Sequence, residues 1–200
     1  SLSPRTPDEM VSVEVLLGRQ PDVGEIDAIV CIVDASNLER NFYLVSQVLD
    51  LDLPTILVLN MWDVAQARQF SIDVEGLRQR LGLQIIVCEA HRRMGVHELR
   101  QAIIHSDSLI TPERPKPFPE KFYSECKLLQ KTLSALGSHT LPFYIVERLL
   151  IDVGGHVEKQ LADQHGELLT SSISGARTRL KESGCRVPMV EAKARYKWAR

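Results

Sequence analysis

The sequence predicts an α/β part built on a parallel sheet of about three strands, followed by an all-α helical bundle. Three observations carry this. Residues 28–33 (AIVCIV), 55–59 (TILVL) and 85–88 (IIVC) are continuous apolar, β-branched runs, the pattern of strands buried on both faces of a parallel sheet. Helical patterns separate them, giving β-α-β-α-β with right-handed crossovers expected. Beyond residue 119 apolar residues recur near helical spacing, at Leu128, Leu129, Leu133 and Leu136, at Ile145, Leu149 and Leu150, and at Ile173, Ala176 and Leu180.

The elements follow in order. Thr6, Pro7 and Glu9 offer an N-cap, a first-turn proline and a glutamate three residues on, opening a helix towards Leu17 that Gly18 ends. Ser36 and Glu39 read as a second capping box, opening a helix towards Leu49. Asp73 can cap a helix over 74–81, with Gly82 at its end, and Gly95 precedes a last helix through Ile104. Residues 111–119 (TPERPKPFP) hold four prolines and read as a stiff extended connection. The expected division is an α/β domain over 1–108, a proline-rich linker over 109–118 and a helical domain over 119–200. Gly137, Gly154, Gly155 and Gly184 punctuate the helical part.

Composition narrows the function classes. The chain is 44% hydrophobic and 25% charged, with a formal net charge of -2, so no general attraction to nucleic acid is expected and no nucleic acid partner is predicted. Its four cysteines form no C-x-x-C pair, and Cys31 and Cys88 sit inside apolar runs, as reduced core thiols do. No apolar run reaches the roughly 18 residues of a membrane span, and the start lacks the apolar core of a signal peptide. The chain reads as cytosolic, compatible with the soluble part of a membrane protein. The six histidines show no metal spacing, and no catalytic Ser-His-Asp or Cys-His arrangement is legible, so neither a metal site nor a catalytic residue is assigned.

Each strand run ends in polar residues: DASN at 34–37, NMWD at 60–63, EAH at 89–91. Ligands of open parallel sheets bind beyond the carboxyl ends of the strands, so this edge is the candidate site. Asn60, Met61 and Asp63 stand as in the N-[KM]-x-D motif of P-loop GTPases. The chemistry fits guanine, whose N1–H and N2 amine are adjacent donors that one carboxylate, Asp63, accepts as a charge-assisted pair. Adenine lacks that pair, and such a site discriminates by roughly 10⁴ or more. Asn60 would contact the base edge and tie the loops together, and Met61, in place of the commoner lysine, would cover the flat face of the base. A strand-end turn with an Asn and an Asp cap is the plain alternative. Placement after a buried strand, with a matching loop one β-α unit later, favours the base reader. That loop, EAHRRMG at 89–95, resembles S-A-[RK]-x-x-x-G, where the Ala90 backbone N–H would donate to guanine O6. Glu89 replaces the usual serine and would repel the nucleotide unless it turns outward; His91 lies where arginine is frequent.

The string VDASNLERN at 33–41, with Tyr43, Leu44 and Gln47, is similar to a string specific to the ferrous iron transporter (FeoB) family, as are LNMWD at 59–63, IDV at 72–74 with Leu77, and VEAKARYKW at 190–198. The resemblance implies an incomplete P-loop GTPase-like sheet plus helical domain, with GTP or GDP as ligand and the membrane permease domain of the same polypeptide as partner. It also implies a place at the cytoplasmic face of the bacterial inner membrane. The helical domain would act as a lever or spacer, and Lys193, Arg195, Tyr196, Lys197, Trp198 and Arg200 suit an approach to the membrane interface. An exposed helix end with favourable cations is an equal reading of that terminus.

No G-x-x-x-x-G-K-[ST] occurs in the chain. The resemblance implies that this loop, switch I and the magnesium-linked D-x-x-G precede Ser1, so that Mg²⁺ binds only in the complete domain. Guanine nucleotide is then expected at about 1 mM or weaker, near -4 kcal/mol, without hydrolysis, because phosphoryl transfer depends on holding phosphates. An apolar sheet edge would make a homo-oligomer possible. The alternative is a degenerate, nucleotide-free G domain acting as an interaction or scaffold module.

Overall fold

Strand β2 (Thr55–Asn60) is the centre of a three-stranded parallel sheet because every residue from Thr55 to Leu59 is apolar or small enough to be buried on both faces. In this computed structural model, which describes residues 7–16, 24–135, 141–187 and 189–200, β2 pairs with β1 (Ile29–Asp34) on one side and β3 (Gln84–Val87) on the other. The register aligns Asp34 with Asn60 and Leu59 with Val87, so the three polar strand ends lie side by side.

Of the predicted side-chain caps, the one at Asp73 forms and the one at Ser36 does not. Helix α1 (Pro7–Leu16) begins at the expected proline; Thr6, Leu17 and Gly18 lie outside the described residues. Helix α2 (Leu38–Leu49) packs beside β1. Its expected capping box at Ser36 is not formed. Residues Ala35–Asn37 make a 3-10 turn instead, and the Asp34 carboxylate accepts from the Ser36 N–H at 2.8 Å. Asp34 is the nearer acceptor, and it takes the donor the box would have used. A short helix α3 (Trp62–Ala67) was not foreseen. Helix α4 (Val74–Leu81) has the predicted cap, with Asp73 accepting from Gly76 N–H at 2.8 Å and Gly82 at φ 63. Helix α5 (Val96–Ile104) closes this part.

One sheet face is covered near β2 and β3, where Ile56, Val58, Ile86 and Cys88 pack with Ala102, Val96 and Leu99 of α5. On the same face of β1, Val30 is partly buried against this cluster, whereas Ile32 is not covered by a described residue. Ile32 is 59% exposed, which corrects the expectation that every strand is buried on both faces. The residues alternating with it, Cys31 and Val33, are buried, so α2 covers the opposite side. All four cysteines are buried and in no disulfide. Burial pushes the Cys31 thiol up to about 11.

The chain divides into two compact units between Pro115 and Lys116. The proline-rich segment before that point is tied down, with Pro112 and Pro115 buried and Arg114 3.5 Å from the Asp50 carboxylate. The second unit comprises α6 (Glu120–Ala135), α7 (Phe143–Ile151), α8 (His156–Glu182) and α9 (Met189–Ala199). Leu129, Leu133, Ile145, Leu149, Leu150, Ile173, Ala176 and Leu180, the predicted periodic positions, are its core, while Leu128 faces solvent. Leu136 and Gly137 lie outside the described residues. Gly166 breaks α8 at φ 67, ψ -151, a backbone state that disfavours any side chain. No helix among the described residues is long and apolar enough to cross a membrane.

Candidate functional site

The loops after β1, β2 and β3 converge at one end of the sheet. Asn60 ends β2, and Met61 turns the chain in a left-handed conformation, φ 59, before α3 starts. That state costs a non-glycine residue about 1 kcal/mol or more. In return the Trp62 N–H reaches the Cys88 carbonyl at 3.4 Å, joining this loop to the one after β3. Asp63 is thereby placed in the first turn of α3, where a carboxylate suits the helix dipole. Met61 is 41% exposed beside it, free to cover a flat ring.

The loop after β3 is built on Gly95, at φ 76, where a Cβ would collide with the Val87 carbonyl. Ahead of it, the Glu89 N–H donates to the Met94 carbonyl at 3.1 Å, closing the loop on itself. Glu89 does not turn outward. It is buried, and its carboxylate pairs with Arg92 Nη1 at 3.2 Å, so its charge is neutralised where it stands. The signal for this was an acid and a base three residues apart.

The two loops meet through their proposed base readers. Asn60 Oδ1 accepts from the Ala90 N–H at 3.1 Å, the loop tie expected of Asn60. The Ala90 donor is therefore engaged by the chain itself rather than facing open space. Asp63 Oδ2 stands 3.6 Å from His91 Nε2, and Asp63 Oδ1 is buried without a hydrogen-bond partner. All six sequence-predicted residues, Asn60, Met61, Asp63, Glu89, Ala90 and His91, thus lie on the two loops that meet here. The 34–37 loop joins through Arg68, just after α3, whose Nη1 donates to Ser36 Oγ at 3.4 Å. Sequence reasoning missed Arg68, which has no motif position, and the His91–Asp63 contact, which needs the two loops docked. A neighbouring cavity of about 690 Å³ has Trp62, Arg78, Glu89 and Glu98 in its lining but not Asp63.

The profile of the FeoB_N family, described as Ferrous iron transport protein B, matches residues 1–103. The chain belongs to the ferrous iron transport protein B family. The Fe(2+) transporter FeoB of Legionella pneumophila (strain Lens) is 42% identical over 88 residues, and that of Salmonella typhimurium 41% over 96 residues. The aligned stretches cover 44% and 48% of this chain, and the chain spans about 12% of the length of those relatives. The solved cytosolic domain of L. pneumophila FeoB superposes with a TM-score of 0.77 at 27% identity, over 100% of this chain and 73% of that one. A GDP-bound variant of NFeoB from S. thermophilus gives 0.80 at 22% identity, over 100% and 74%. The FeoB family fold, P-loop GTPase-like, accounts for the parallel sheet with helices and for the helical unit after it.

Proposed function

We propose that this chain carries the guanine-recognising part of a GTP-binding region that regulates Fe²⁺ uptake by a bacterial transporter, with Asp63 as the base reader. The observation that supports this most is the buried Asp63 Oδ1, which has no partner. An orphaned buried acceptor costs about 1–3 kcal/mol, more when charged, and a ligand bearing adjacent donors removes that cost. The N1–H and N2 amine of guanine are such donors. On binding, His91 moves off Oδ2, the Ala90 N–H exchanges Asn60 for guanine O6, and Met61 closes over the ring. Glu89, held by Arg92, does not oppose the nucleotide. Structural neighbours described as bound to GDP or GMPPNP accord with this ligand.

Hydrolysis does not belong to this chain. It holds no G-x-x-x-x-G-K-[ST] to cradle phosphates. The Ser/Thr hydroxyl of that motif is the group that would hold Mg²⁺, so without it the residues present do not fit such a site, and no step passes through one. The helical unit would couple nucleotide state to the permease domain of the same polypeptide at the cytoplasmic face of the bacterial inner membrane. A scaffold role without nucleotide is the second reading, favoured by one observation: Ala90 N–H and Asp63 Oδ2 are both met by groups of the chain itself.

Titration of the chain with GDP, followed by amide NMR, separates the two. Shifts confined to 60–63 and 89–95, with Kd about 1 mM or weaker, support the guanine reader. D63N should abolish the GDP response and create one to xanthosine diphosphate, which presents a donor and an acceptor where guanine presents two donors. Unchanged GDP shifts in D63N refute Asp63 as the reader, and no shifts with the parent chain support the scaffold. Micromolar GDP affinity by calorimetry would show that phosphates are held after all.

A further inference from the structure

The helical unit contains a cavity of about 660 Å³ that the guanine reading does not use. It lies between the start of α6 and the α8–α9 connection. Phe118, Met189 and Val190 give it an apolar wall, and Lys121, Arg186, Lys193 and Lys197 line it with positive charge. No described acidic residue lines it. All four cations are exposed, and none makes an ion pair with a described residue. Three carboxylates of the unit are engaged elsewhere: Glu125 by Arg179, Glu158 by Arg177, and Glu191 by Arg148 and Arg195. Glu120 and Glu182 are exposed beside the rim but do not line the cavity, so its lining carries positive charge alone.

The asymmetry extends to the whole sequence. Residues 116–200 hold 14 lysines and arginines against nine aspartates and glutamates, whereas residues 1–115 hold 10 against 17. Every lysine of the chain lies after Pro115. A net charge of -2 conceals a basic half, four of whose unpaired cations line one hollow.

We propose that this cavity binds the phosphate headgroup of an anionic phospholipid. The four cations supply the electrostatic attraction. The apolar wall receives the glycerol and the first acyl carbons, a surface with nothing to offer inorganic phosphate. Met189, 73% exposed beside the cations, extends that wall to the rim. Further along α9, Tyr196 and Trp198 alternate with Lys197 and precede Arg200, the composition of a membrane–water interface. The proposal is independent of guanine recognition and concerns a different unit of the chain.

Co-sedimentation of the 200-residue chain with vesicles tests it. Binding is expected to phosphatidylcholine vesicles containing about 30 mol% phosphatidylglycerol, weakening as salt rises, and not to phosphatidylcholine alone. The K193E/K197E pair should lower affinity about tenfold or more. The equally acidifying pair K131E/K159E, away from the cavity, should change it about threefold at most. V190W fills the cavity without altering charge and should weaken binding severalfold; if it fails to give the parent circular dichroism, M189E at the exposed rim replaces it. Equal loss in both lysine pairs, or full binding by V190W and M189E, reduces the effect to diffuse charge and overturns the proposal. So does equal binding to neutral vesicles. Displacement by millimolar inorganic phosphate would assign the cavity to free phosphate, and capture of polyglutamate without vesicle binding would assign it to an acidic polypeptide; either result also overturns it.

Discussion

Arginine 177 shows how much one side chain can organise. From α8 it donates to the Leu149, Leu150 and Asp152 carbonyls, the unsatisfied end of α7, and pairs with Glu158 at 2.7 Å. Burial raises the Glu158 carboxyl, but the hydrogen bond from Arg177, the Gly154 N–H and the arginine charge outweigh it and hold the group below its ordinary 4.5. A carboxyl depressed by folding contributes stability that is fully present above its unfolded value and is lost as pH falls through the folded one. The helical unit should therefore weaken as pH drops from about 5. E158Q should cost about 1.5–3 kcal/mol above that pH and flatten the acid limb below it. Urea denaturation at several pH values checks this; an unchanged acid limb in E158Q would exclude Glu158 as its source.

At the scale of elements, α9 is fastened by a buried charged network rather than by apolar packing alone. Glu191 accepts two bonds from Arg148, both at 3.0 Å, and one from Arg195 at 2.9 Å. The Arg195 guanidinium also lies over the Phe118 ring, 5.2 Å from its centroid. Removing Glu191 leaves two buried guanidinium groups short of their acceptor, so E191A should destabilise the helical unit by about 3–5 kcal/mol. Denaturant unfolding followed by circular dichroism measures it. A cost below about 1 kcal/mol would mean the network is solvated. The periodic leucines marked this bundle in the sequence, but not the network. Glu191 and Arg195 are four apart and legible as a helix pair, whereas Arg148 is 43 positions away and meets them only when α7 and α9 pack.

For the whole molecule, the exposed Ile32 of β1 is the main liability. Ile32 is 59% exposed on a strand that, among the described residues, is paired on one side only. The chain should self-associate with rising concentration, and I32K should shift it towards monomer, as light scattering after size exclusion would show. Indistinguishable masses for parent and variant would clear this face. Continuous apolarity from 28 to 33 had predicted burial on both sides, and β2, with neighbours on each edge, obeys that rule. β1 does not, because burial depends on what covers a strand as well as on its own residues.

Local chemistry alone determined the parallel strands, the Asp73 cap, the end of α4 at Gly82 and the loop positions of Asn60, Asp63 and Ala90, because each depends on residues within a few positions or on alternation along one strand. Tertiary structure decided which donors those groups meet. Asn60 and Ala90, 30 residues apart, meet because β2 and β3 pair in register, and the same pairing brings His91 to Asp63 and leaves one carboxylate oxygen unpartnered. Contacts between distant residues exist only once the loop-closure entropy has been met by packing, and no local pattern records which side chain is nearest.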